Sequence, residues 1–371
     1  MVSTSQPIRW GILGTGFIAQ KFADGLRSVP EAQLWAVGSR TLASAQKFAH
    51  QFNVPKVYGS YSDLVNDPTI DVVYVATPHI YHKENCISSL KARKAVLCEK
   101  PFTVNAREAK EVITLAREQK LFCMEAMWMR FMPLIQKVKQ IVDRGDIGEI
   151  RLFTAEFGYP TQFDPNNRFF KLELGGGALL DRGVYPLSLA FFLFGPPNQI
   201  SGQACKGNSG VDEQSAMLLT YESSMLAILS STLNTYGSNS AIITGTRGKI
   251  VIHEPFYEPE RISLIKFPDS PVVSTAKYCV NSSRLKQKLI TLMKRNLLVK
   301  SLVSKLRYPT TTFSHANESN GLSYQAVEVV RCLKNGERES PIMPLDHTLK
   351  IMETMDVLRQ QWNLKYPQDI D

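Results

Sequence analysis

Between residues 8 and 125, short apolar runs alternate with longer polar stretches. The runs IRWGILG, LWAVGS, DVVYVAT, AVLCE and LFCMEA are too short for helices and rich in Val, Ile and Leu. Runs of this kind predict strands of a parallel sheet. The segments between them, such as LASAQKFAHQF and NAREAKEVITLAREQ, carry apolar residues at helical spacing, and Asn105 followed by Glu108 predicts a capped helix start. Strand and helix in strict turn specify a doubly wound α/β sheet.

The first run ends in GILGTGFIA. Gly14, Gly16 and Ala19 form the G-x-G-x-x-A version of the dinucleotide fingerprint, with Phe17 and Ile18 between the second glycine and the alanine at the start of a predicted helix. The first glycine permits the tight turn, the second lets the backbone approach a pyrophosphate, and the small third residue lets helix and strand pack closely. N–H groups of the helix start then face the phosphates. An NAD site usually ends the second strand in an acid that binds the ribose hydroxyls. Here that strand ends in Ser39 and Arg40, a hydroxyl and a guanidinium suited to a 2′-phosphate, so NADP is expected ahead of NAD. The fourth run leads into Thr77, Pro78, His79 and His82, placed to lie along the cofactor. The two histidines lack an evident third ligand, so no metal is expected.

The stretch CEKP, Cys98 to Pro101, puts Glu99 and Lys100 at the carboxyl end of a strand, where ligands of open α/β sheets sit. Farther on, GGGALLDRGVYPLSLAFFLFG reads as a mostly apolar helix with Asp181 and Tyr185 four apart, on one face. Polar groups on a buried face need partners.

Together, GILGTGFIA, ATPHIYH, CEKP, EAMWMRF and GGGALLDRGVYPL resemble the Gfo/Idh/MocA oxidoreductases, and within them the dimeric dihydrodiol dehydrogenase and NADP-dependent D-xylose dehydrogenase branches. The similarity covers about residues 8–270 and resumes at NGLSYQAVEVV. It implies a Rossmann domain, residues 1–127, and a second α/β domain on a large open, mainly antiparallel sheet, residues 128–371. It also implies hydride transfer between a nicotinamide and a sugar or related alcohol, a homodimer, and a cis peptide in the Glu-Lys-Pro stretch. Lys100 then stabilises charge on the substrate oxygen, with Glu99 orienting it. Tyr185 is the acid/base, its pKa brought down by Lys100 and the oxidised nicotinamide, and Asp181 is an orienter or substrate contact. Trp128 and Arg130, after the last Rossmann strand, and Arg168 are candidates for substrate contact.

With 371 residues, 44% of them hydrophobic, the chain can bury two cores. Its start lacks a signal-like pattern, no apolar run approaches a membrane span uninterrupted, and six scattered cysteines suit a reducing compartment, so a cytoplasmic location is expected. The net charge of +9 is concentrated in residues 284–307, which argues against nucleic-acid binding by the whole protein. Leucines and valines near helical spacing make that segment a basic amphipathic helix, expected to pack as a lid in preference to lying on a membrane. Other enzyme and non-enzyme readings of the same fold are a nicotinamide-dependent glycosidase and a non-catalytic NADP-binding regulator.

Overall fold

The computed structural model describes residues 6–268, 308–317 and 320–370. The basic segment 284–307 lies outside these residues. Six strands build the first sheet: β1 (Ile8–Leu13), β2 (Ala32–Gly38), β3 (Lys56–Tyr58), β4 (Val72–Val75), β5 (Ala95–Glu99) and β6 (Cys123–Ala126). All pairs are parallel, in the order β3-β2-β1-β4-β5-β6. β4, β5 and β6 are buried throughout, as expected of parallel strands covered on both faces. Helices α1 (Phe17–Leu26), α2 (Leu42–Phe52), α3 (Tyr61–Val65), α4 (His82–Lys91) and α5 (Ala106–Gln119) connect them. The Asn105 side chain caps α5 by accepting from Glu108 N (2.9 Å), while the Glu108 carboxylate takes Val104 N (3.2 Å). Strand order reverses between β1 and β4, and the crevice at that switch opens above their carboxyl ends.

After α6 (Pro133–Asp143) come β7 (Ile150–Gly158), α7 (Val184–Phe194) and strands β8 (Gln199–Lys206), β9 (Asp212–Thr220), β10 (Leu226–Thr232), β11 (Ala241–Gly245), β12 (Gly248–Ile252), β13 (Arg261–Lys266) and β14 (Thr310–Ser314). They form an eight-stranded sheet ordered β14-β13-β12-β11-β7-β10-β9-β8. Every pair is antiparallel except β7 with β10, which run parallel with Thr232 opposite Gly158. One face is buried through Phe153, Ala155, Ala227 and Leu229; alternate residues face outward, among them Leu218, Leu226 and Ile228.

The apolar stretch Leu172–Phe194 passes a membrane-span test by length and composition, but 89% of its apolar window is buried inside the protein, where it serves as core. Its helix is not uniform: Leu179–Gly183 forms a π-helical turn that leads into α7. Helices α8 (Leu322–Lys334) and α9 (Leu345–Gln361) return to the first sheet. α8 lies on α1, and α9 lies between α5 and β6 on one side and α7 and β8 on the other.

Candidate active site

The glycine loop after β1 is shaped by close approach. Gly14 has φ +103°, and a Cβ there would lie 2.7 Å from Ala76 O of the neighbouring loop. Above Gly16 a Cβ would meet nothing within 4 Å, so this backbone is open to an approaching group. Ala19 is fully buried at the α1 contact, and the first turn of α1 carries no acidic side chain. A helix start in this setting favours an anion. The loop thus fits a dinucleotide pyrophosphate. Ser39 is buried at the end of β2 and Arg40 exposed beside it.

A cleft of about 620 Å³ runs from this loop to the second sheet. Every residue nominated for the cofactor, from Gly14 to Lys100, lines it, and so do Arg168, Asp181 and Tyr185. His82 braces its wall: Nε2 faces Thr77 O (2.8 Å) and Nδ1 faces Pro101 O (2.9 Å), which commits both ring nitrogens. Of the two cis peptides among the described residues, Lys100–Pro101 and Glu254–Pro255, the first lies beside this cleft.

Lys100 is aimed by the second sheet's side of the cleft. Its Nζ donates to Asp181 O (2.7 Å) and Asp181 Oδ1 (3.3 Å), and lies 4.9 Å from the centre of the Tyr185 ring. Arg168 Nη2 donates to the same carboxylate oxygen (3.0 Å), and Arg168 Nη1 lies 3.4 Å from His79 Nε2. Burial pushes the Asp181 carboxyl up, but Lys100 and Arg168 outweigh it and hold the group well below the usual carboxylate range. Burial, then Arg168, pushes the His79 imidazole well down.

Glu99 acts differently from expectation. Its carboxylate accepts from the Lys100 backbone N (3.2 Å) and from the Tyr74 hydroxyl, while the Lys100 ammonium is held by Asp181. Burial raises Glu99 to about 7 against the opposing Tyr74 hydrogen bond and Lys100 charge.

Tyr185 is 6% exposed, and its hydroxyl oxygen accepts from Trp128 Nε1 (3.0 Å). Its pKa is raised well above 10, first by burial and then by Glu99; the Trp128 hydrogen bond only partly opposes this. The expectation of a lowered phenol therefore fails for the protein's own groups, because desolvation dominates in a pocket walled by aromatic rings.

Two family models match in succession: one described as oxidoreductase family, NAD-binding Rossmann fold, over residues 8–127, and one described as the GFO/IDH/MocA C-terminal domain, over residues 135–251. The trans-1,2-dihydrobenzene-1,2-diol dehydrogenase of Mus musculus is 33% identical over 368 residues, covering 98% of this chain and 99% of that protein. The chain belongs to the Gfo/Idh/MocA oxidoreductase family. Its Homo sapiens relative of the same name is 31% identical over 370 residues, again covering 98% and 99%. Among solved structures, a 3-ketoreductase from Actinomadura kijaniata in complex with NADP and TDP-benzene has a TM-score of 0.77 at 24% identity, covering 96% of this chain and 98% of that one. An aldose-aldose oxidoreductase from Caulobacter crescentus complexed with glycerol has a TM-score of 0.78 at 19% identity, with the same coverage. At these identities the structures speak for the fold. As a Gfo/Idh/MocA oxidoreductase the protein is an NAD(P)-dependent dehydrogenase.

Two substrate candidates are corrected by this family member's structure. Arg130 has no exposed surface, and its guanidinium is spent on Ser188 Oγ (2.8 Å), Ser188 O (3.0 Å) and Ile342 O (3.2 Å), so it fastens α7 and does not reach the cleft. Trp128 is 8% exposed and turns its N–H to Tyr185, which makes it a partner of the phenol. Sequence reasoning missed Phe157, which lines the cleft 5.2 Å from the Tyr185 ring, and Tyr257, stacked on Phe157 at 4.5 Å. Alternation along β7 marks Phe157 as inward-facing, but nothing local shows that the strand ends at the cleft.

Proposed function

We propose that the protein is an NADP-dependent oxidoreductase acting on a sugar or cyclic diol carbon, with Tyr185 as acid/base, Lys100 as electrostatic partner and Asp181 as the group that orients Lys100. The observation that carries this reading is the Lys100 ammonium, held between the Asp181 carboxylate and the Tyr185 ring in the cleft that opens from the glycine loop. Bound in that cleft, the nicotinamide supplies or accepts hydride. Tyr185 holds or releases a proton at the substrate oxygen, while the Lys100 cation stabilises negative charge developing there. Asp181 and Arg168 keep the ammonium directed into the cleft. The raised phenol pKa keeps Tyr185 protonated at neutral pH, which suits delivery of a proton to a carbonyl oxygen during reduction; the oxidative direction gains from higher pH. Names of the relatives, a dihydrodiol dehydrogenase and an aldose-aldose oxidoreductase, support the two substrate classes.

Preference for NADP rests on Ser39 and Arg40 at the end of β2, where no acid stands. Association as a homodimer rests on the open face of the eight-stranded sheet, where Leu218, Leu226 and Ile228 are 39%, 41% and 48% exposed and Ile228 sits opposite Leu218. The test is turnover of aldoses, polyols and trans-cyclohexanediols with NADP+ and with NAD+, for wild type and Tyr185→Phe. Loss of turnover by about 10²-fold or more, with NADP+ binding retained, is expected of a missing acid/base. Undiminished turnover in the variant would remove Tyr185 from the chemistry, and faster turnover with NAD+ would remove the assignment of Ser39 and Arg40.

A further inference from the structure

A row of aromatic rings leads from Tyr185 to solvent. Tyr185 meets Phe157 at 5.2 Å between centroids, Phe157 meets Tyr159 at 5.9 Å, and Tyr159 meets Tyr236 at 6.0 Å. Tyr257 is stacked on Phe157, and its hydroxyl donates to the Tyr159 hydroxyl (3.4 Å). Exposure grows along the row: Tyr185 and Phe157 are buried, Tyr159 and Tyr257 half-buried, and Tyr236 73% exposed. Leaving so large a ring in water forgoes the gain of burying it.

The loop that presents Tyr236 is held firmly. Gly237 N donates to Gly158 O (3.0 Å), Ser238 N to the Glu156 carboxylate (2.7 Å), and the Asn239 amide bonds both Gly158 N and Gly158 O (2.9 Å each). Gly158 has to be glycine for this contact, since a Cβ there would lie 2.6 Å from Thr232 Cγ2 and 2.8 Å from Gly237 N. Because β10 runs parallel to β7, this loop and the end of β7, whose Phe157 lines the cleft, share one rim of the sheet. Arg182, next to Asp181 in the π turn, ties the row to the reacting groups: it donates to Tyr159 O, Thr232 O and Thr161 Oγ1. The rings therefore stand in a set register with Tyr185, and a rigid tyrosine of two side-chain torsions loses little entropy on binding.

One six-membered ring spans about one step of this row. A ring reacting at Tyr185 beside Phe157 leaves Tyr159 and Tyr236 uncovered. We propose that these two tyrosines form a second subsite, which takes a ring attached to the ring that reacts, so that the physiological substrate carries two linked rings. This rests on the dehydrogenase reading of the Tyr185 site. The subsite recognises the apolar face of a ring, supplied either by a second pyranose or by an aryl group, with tyrosine hydroxyls at its edge.

The test measures equilibrium binding on the full chain loaded with NADPH, which does not react with an alcohol, and turnover side by side with NADP+. Matched ligands are an aldose, its disaccharide with that aldose at the reducing end, and an aryl ether of the same aldose substituted at the position that carries the second sugar. Wild type is expected to bind one of the two-ring ligands about three- to tenfold more tightly than the single ring, the range of an aromatic contact. Whichever ligand gains names the source of the second ring. In Tyr236→Ala that ratio should fall to about one, and Tyr236→Phe, which keeps the ring, should restore it. Equal binding of one- and two-ring ligands by wild type, absence of binding by all three, or an unchanged ratio in Tyr236→Ala would overturn the subsite. A two-ring preference without turnover of any ligand would leave the subsite standing and count against the dehydrogenase reading alone.

Discussion

Trp128 shows how far a residue's role can depend on one hydrogen bond. On the sequence, a tryptophan after the last strand of a nucleotide domain invites a substrate role; in the fold its N–H goes to Tyr185, and its ring packs edge-on against Tyr185 and Tyr257. That donor is the interaction that opposes the upward pull of burial and Glu99 on the phenol. Trp128→Phe should therefore raise the Tyr185 pKa further. In a pH profile of alcohol oxidation, the rising limb should move to higher pH, with reduction at neutral pH less affected. An unmoved limb would separate Trp128 from the phenol's titration. Lys100, Asp181 and Tyr185 could be nominated from motifs, and the fold brings the three together at the cleft. Arg130 could not be placed, since a buried arginine and a substrate-binding arginine look alike until Ser188 and Ile342 are seen around it.

Among elements, those with local causes were the legible ones. The β1 turn, the alternation of strand and helix, and the Asn105 cap each follow from residues a few positions apart. The π turn at Leu179–Gly183 did not announce itself, because a spacing of four reads as α-helix whatever the packing does to one turn. Nor did the parallel pairing of β10 with β7 inside an otherwise antiparallel sheet, which is a contact between distant segments. Gly14 lies at the local extreme. Gly14→Ala combines a positive φ with a Cβ 2.7 Å from Ala76 O, so the loops after β1 and β4 must part. NADP+ affinity is expected to fall by at least tenfold, measured by titration of the purified variant, with a smaller effect on KM for the substrate. Wild-type affinity would mean that the two loops do not jointly hold the dinucleotide.

Over the whole molecule, among the described residues, buried carboxyls outside the ion pairs shape stability. Glu99, Glu125 and Asp212 are each raised to about 7, in every case chiefly by burial. A carboxyl whose folded pKa lies above its unfolded value binds its proton more tightly in the fold. Its contribution is therefore complete below the unfolded pKa and is lost as pH rises through the folded one. Glu125 accepts from Thr348 Oγ1 (3.0 Å) in a fully buried setting. Glu125→Gln removes the titration. Between pH 4.5 and 7, wild type should lose about 3 kcal/mol relative to the variant, read from denaturant unfolding at each pH. Parallel curves would show that Glu125 does not titrate in that window. The open sheet face makes a separate prediction at this scale: analytical ultracentrifugation should give a dimer's mass for wild type and a single chain's for Ile228→Lys; a wild-type monomer would remove the proposed dimer, and a dimeric variant would place the interface elsewhere.

The return of α8 and α9 to the first sheet also bears on how the protein is made. Asn320 donates to Lys21 O of α1 (2.6 Å), Cys123 N of β6 donates to Arg338 O, and α9 covers α5 and β6. On the ribosome, the six parallel strands emerge first, yet the helices that cover them are translated only after every strand of the second sheet. The nucleotide half therefore leaves the exit tunnel with a flank still bare, and that flank is covered only once α8 and α9 have followed it out.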